Sequence, residues 1–122
     1  MGLHFLSFDY SEDEEGRASW DAVASVPAAR LPELLHEIVG LLAWAHAEFG
    51  ALQGPAEDGG LWDYDLQYER EGHPLQTLLY DITSAQLRPA PLVLPGERVG
   101  LTLALSGGPE FADAFDARYG AA

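Results

Sequence analysis

Leu61-Trp62-Asp63-Tyr64-Asp65-Leu66-Gln67-Tyr68-Glu69-Arg70 alternates almost without a break between apolar or aromatic residues and acids or amides. Successive side chains of an extended chain point to opposite faces. Trp62, Tyr64, Leu66 and Tyr68 therefore share one face, and Asp63, Asp65, Gln67 and Glu69 share the other. A period of two with one apolar side marks a strand in a sheet that is covered on one face and wet on the other. The rest of the chain must supply that cover.

Downstream, Glu71-Gly72-His73-Pro74 reads as a turn. Leu75 to about Ala85 reads as the next strand, with Leu78, Tyr80 and Ile82 opposite Leu79, Asp81 and Thr83. Pro89, Pro91 and Pro95 mark an irregular or sheet-edge passage, since proline has no N–H to give a ladder. Val99, Leu101, Leu103 and Leu105 define one more strand, and Gly107-Gly108-Pro109 opens a short last helix that turns Phe111, Phe115 and Tyr119 inward.

Upstream, residues 50 to 60 form a loop. Before it, Leu31, Leu34, Leu35, Ile38, Leu42, Ala45 and Phe49 keep the spacing of a helix over about 32–49. Pro32 suits its first turn, Glu33 its positive end, and Gly50 its stop. Gly40 weakens the helix interior, so a close approach of a neighbouring element is expected there. The N-terminal third reads as a β-hairpin. Its strands are Leu3–Tyr10 and Arg17–Val26, joined by the acidic turn Ser11–Gly16.

The predicted order is ββαβββα over a single domain, residues 1–122. The fold class is α+β: two layers, with a largely antiparallel five-stranded sheet and both helices on one face.

Charge narrows the partners more than the chemistry. Twenty acids against six bases, all Arg, give a formal net charge of −14. Such a field repels phosphate backbones and anionic membrane surfaces, so neither nucleic acid nor membrane is expected as a partner. Cys is absent, which removes disulfides, thiolate metal sites and thiol nucleophiles. With no basic, apolar leader at Met1–Tyr10 and no apolar run of membrane length, the expected location is the cytoplasm. Abundant Ala, Gly and Arg with no Lys point to a GC-rich bacterial source.

The open sheet face carries the first candidate site. Alternation places Asp9, Asp21, Asp63, Asp65 and Asp81 on it, although Asp is disfavoured in strands. Three readings stand: a merely solvated face, a docking surface for a basic protein partner, or a surface covered by a second copy of the chain through Phe5, Val23 and Leu79. The inner face carries the other candidate. Trp62, Tyr64, Tyr68 and Tyr80 read first as core; in the alternative, with His4 nearby, they line an aromatic cavity between sheet and helix that admits a small ligand.

Signals for catalysis or metal are weak. Glu12–Glu15 and the stretch Asp58–Asp65 both fail the calcium-loop pattern. His36 and His46 lie ten residues apart, about 280° around a helix, and so do not face one another. Ser106-Gly107-Gly108 lacks the Lys of a phosphate loop. No cofactor is expected. The leading functional expectation is a non-enzymatic protein-interaction domain, an immunity- or inhibitor-type protein for a basic partner being one concrete form. The alternatives are a small-molecule-binding domain or small enzyme built on the aromatic cavity, and a structural or accessory domain.

Overall fold

A computed structural model describes residues 3, 5–54 and 60–119. The elements follow in the order β1 (Asp9–Glu12), β2 (Ala18–Pro27), α1 (Leu31–Phe49), β3 (Trp62–Arg70), β4 (Gln76–Asp81), β5 (Gln86–Arg88), β6 (Arg98–Gly107) and α2 (Pro109–Tyr119). The strands form one sheet of order β1-β2-β6-β3-β4-β5, and every pairing between them is antiparallel.

The last strand in sequence is central in space. From Val99 to Gly107, β6 carries no charge, and it pairs along its length with β2 on one side and β3 on the other. A strand with two neighbours has every backbone group in a ladder, whereas charged and short strands suit the edges. Here the edges are β1 and β5, of four and three residues.

Alternation along β2, β3 and β6 is realised as expected. Trp20, Ala22, Ala24 and Val26 of β2, Trp62, Leu66 and Tyr68 of β3, and Val99, Leu101, Leu103 and Leu105 of β6 are buried against the helices. Leu34, Ile38, Leu41, Leu42 and Ala45 of α1 and Phe111 and Phe115 of α2 close the core from the other layer. The Trp44 and Phe111 rings, 6.0 Å apart, join the two helices.

Three local expectations are revised. The stretch 5–8 is not a strand. It crosses to the helical layer, where Glu37 Oε2 accepts the N–H groups of Phe5 (2.9 Å) and Leu6 (2.8 Å). Leu6 is buried and Phe8 meets Phe115 edge-on at 5.5 Å. A carboxylate on α1 thus satisfies donors that a sheet ladder would otherwise have taken, and Phe5 is absent from the open sheet face.

The strand expected over Leu75–Ala85 ends at Asp81, and a further strand, β5, follows at Gln86–Arg88 and raises the sheet to six. Asp81 ends β4 by accepting the N–H of Thr83 and the hydroxyl of Ser84. Ala85, at φ 56°, turns the chain back into β5. Short side chains that bond their own backbone compete with strand continuation in this way.

Gly40 is not a point of close approach: a Cβ there would meet nothing within 4 Å. A tight contact lies instead at Gly107, where a Cβ would lie 2.5–2.7 Å from three atoms of Phe111. His4 and Asp58, each named above for a candidate site or loop, lie outside the described residues.

Candidate functional site: an acidic row across the open sheet face

The strand registers decide how the five aspartates are arranged. Asp9 pairs with Asp21, Asp21 with Ala104, and Ala104 with Asp65. Residues so paired lie side by side, so β1, β2, β6 and β3 present the row Asp9–Asp21–Ala104–Asp65 across the sheet. Strands are about 4.8 Å apart, which places Asp21 roughly one strand spacing from Asp9 and about 10 Å from Asp65. All three side chains are exposed. The Asp9 and Asp21 carboxylates make no hydrogen bond or ion pair with the described residues. Asp65 accepts only from the neutral amide of Gln67, at 3.1 and 3.3 Å.

Asp63 and Asp81 do not join this row. Asp63 Oδ1 accepts from the Gln53 amide and from the N–H of Tyr64 (2.9 Å). Asp81 accepts Arg88 Nε at 2.7 Å, and that bond, with those from Ser84 and Thr83, holds its carboxyl below the usual range. These two carboxylates shape the ends of β3 and β4. The sequence marked five equivalent acids; the structure divides them into a row of three uncompensated charges and two held in local turns.

The ground between the acids is flat. Along β6 the outward positions are Gly100, Thr102, Ala104 and Ser106, with Val23 and Ser25 beside them on β2. Val23 is 71% exposed. A shallow groove of about 360 Å³ runs past Val23, Gly100 and Thr102 toward Glu69 and Arg98. The guanidiniums near the margins are engaged: Arg88 with Asp81, and Arg98 with the hydroxyl (3.0 Å) and carbonyl (3.1 Å) of Ser25. Sequence reading did not single out this strip of small residues. Its alternation was visible, but its place between the acidic strands follows from β6 lying in the centre.

On the inner face, Trp62, Tyr64, Tyr68 and Tyr80 pack against their neighbours. Trp62 is fully buried and stacks on Phe111 at 5.5 Å and 4°. Tyr68 donates its hydroxyl to the Leu92 carbonyl at 2.6 Å, and burial pushes its pKa up. The Tyr64 hydroxyl accepts the N–H of Tyr80 at 2.9 Å, and burial raises its pKa too. His46 of α1 meets Trp62 edge-on at 5.0 Å and stacks on Tyr80 at 5.2 Å, filling the space that a ligand would need. Among the described residues neither His46 ring nitrogen nor Trp62 Nε1 has a hydrogen-bond partner, and burial lowers the His46 pKa. Surface clefts of about 600 and 840 Å³ lie elsewhere, and none of these four aromatics lines them.

Among the described residues no three His, Asp or Glu side chains converge on a point where a metal ion could sit, and no helix is long and apolar enough to cross a membrane. No protein-family model, curated protein or solved structure matches the chain.

Proposed function

We propose that this protein is a non-enzymatic interaction module whose open sheet face docks a basic surface of a protein partner. The observation that carries the reading is the register that sets Asp9, Asp21 and Asp65 in one row, with no ion pair to a cation among the described residues. Like charges directly opposite one another weaken a sheet, so the row lowers stability in the free protein. A partner supplying Lys or Arg at strand spacing removes that repulsion on binding. The small outward residues of β6 let such side chains lie close to the sheet. A second copy of the chain on the same face would instead set two acidic rows against each other, which favours a basic partner over self-association. An immunity- or inhibitor-type role against a cationic protein is the specific form that fits this chemistry.

The test compares two variants of equal charge. One carries Asp9→Asn, Asp21→Asn and Asp65→Asn; the other carries Glu12→Gln at the end of β1 and Glu14→Gln and Glu15→Gln in the hairpin turn. Binding to cytochrome c, a generic basic protein, is measured by calorimetry at low ionic strength. Three exposed charge contacts at a few tenths of a kcal/mol each amount to about a tenfold weakening for the row variant. The turn variant should bind nearly as the wild type does. Equal weakening in both would mean that net charge alone attracts the probe, and the reading would be dropped.

A further inference from the structure

A second region of the surface is balanced in charge, with two Arg against two Glu in its lining. A groove of about 840 Å³ opens between the N-terminal segment, one side of α1 and the end of α2. Its volume falls in the range of small-molecule sites, about 300–1,000 Å³. Leu3, Phe5, Leu41 and Tyr119 give it apolar walls, and Gly40 lies along the α1 side.

Gly40 has no packing reason to be glycine. It sits in the interior of a 19-residue helix, where glycine is destabilising relative to alanine. No described residue demands it, since a Cβ there would meet none of their atoms within 4 Å. What glycine does provide is a bare stretch of helix on the groove, the close backbone approach that a ligand can use.

Charge supplies the second observation. In a chain of net charge −14, two of the six Arg residues and His36 line this one groove. The two carboxylates that also line it are engaged. Glu33 is paired with Arg30 at 2.7 Å, and Glu37 accepts the Phe5 and Leu6 N–H groups. Arg30 also lies over the Phe5 ring at 5.2 Å. Arg118 makes no ion pair or hydrogen bond with the described residues. Its only contact of note is with the Tyr119 ring, 5.7 Å from the guanidinium. A planar guanidinium held over an aromatic ring beside an apolar wall is suited to a carboxylate on an apolar body.

We infer that this groove binds a small amphipathic organic acid, its apolar body against Gly40, Leu41 and Phe5 and its carboxylate on Arg118. The site is independent of the acidic row, which lies on the other side of the sheet.

Octanoate is the probe, with 1-octanol as its uncharged counterpart, and binding is followed by amide chemical shifts of the whole chain. Octanoate should perturb residues 36–41 and 118–119 and bind more tightly than octanol. Arg118→Gln removes the charge-assisted contact and should weaken octanoate about tenfold while leaving octanol unchanged. Gly40→Leu fills the groove and should abolish binding of both. Gly40→Ala is the folding control: it should melt above the wild type and retain weakened binding. Absence of binding, equal affinity for acid and alcohol, or an Arg118→Gln variant that holds octanoate as well as the wild type would each overturn the inference.

Discussion

Gly107→Ala is the most informative single change in the core. Gly107 ends β6 and pairs with Ala18 on one side and Trp62 on the other, so its backbone is held from both neighbours. An added methyl would lie 2.5 Å from Phe111 Cδ2 and 2.7 Å from its Cβ and Cγ. Ordinary carbon contacts are about 3.5–4.0 Å, so the overlap is about 1 Å at each of three atoms. Phe111 has nowhere to go. It is fully buried and its ring is surrounded by Trp62 at 5.5 Å, Trp20 at 5.6 Å, Phe49 at 5.4 Å and Trp44 at 6.0 Å.

Overpacking a filled core costs typically 1–3 kcal/mol, and with both partners fixed the cost belongs near the upper end, about 2–3 kcal/mol. For a chain of 122 residues the entropy of unfolding converts this to about 4 °C per kcal/mol. Thermal unfolding followed by circular dichroism should therefore show a drop of about 10 °C. The same substitution in a Phe111→Leu background should cost much less, because the smaller side chain leaves the space that the methyl needs. If the Gly107→Ala variant melts with the wild type, or if the cost is the same in both backgrounds, the packing account of this junction is wrong.

Two further outcomes follow from the charged and titrating groups. Burial disfavours the His46 imidazolium, so its pKa in the folded chain lies below the ordinary 6.5 while the unfolded chain keeps that value. The unfolded state then takes up the proton first. The stability that neutral His46 contributes is complete above about pH 6.5 and is lost as pH falls toward the lowered value. Urea midpoints should decline as pH falls below about 6.5, and less so in His46→Phe; parallel curves would refute the assignment. Asp21→Asn removes the charge facing Asp9 and should stabilise the fold by a few tenths of a kcal/mol at low salt. The gain should vanish near 1 M salt, where the screening length is about 3 Å. A destabilised variant, or one indifferent to salt, would show that the row is not repulsive.

The two layers were legible because they rest on short-range periodicity. The alternation over Trp62–Tyr68, the helical spacing of Leu34, Ile38, Leu42 and Ala45, and the inward set Phe111 and Phe115 each reflect one element burying one side. The places where reading failed share a cause. Leu3–Phe8 alternates like a strand, yet Glu37, more than 30 residues away in sequence, takes its N–H groups. Asp81 breaks a strand by bonding its own following residues, a local competition that hydrophobic pattern does not reveal. Gly40 and Gly107 look alike in sequence, and only their neighbours distinguish open space from a filled contact.

Within β2, β3 and β6, periodicity alone marked which residues point to the helices and which to water, and that the water-facing side is rich in aspartate. Period and charge are properties of one strand at a time. Strand order and register belong to pairs of strands distant in the chain, and they alone decided the rest. Placing β6 between β2 and β3 brought Ala104 between Asp21 and Asp65, while the β1–β2 register set Asp9 against Asp21. A shift of one residue in any of these pairings would turn that strand's side chains to the other face. Burial of its apolar side against α1 and α2 is the force that forbids the shift. The acidic row is therefore a consequence of the core, written on the side of the sheet that the core does not use.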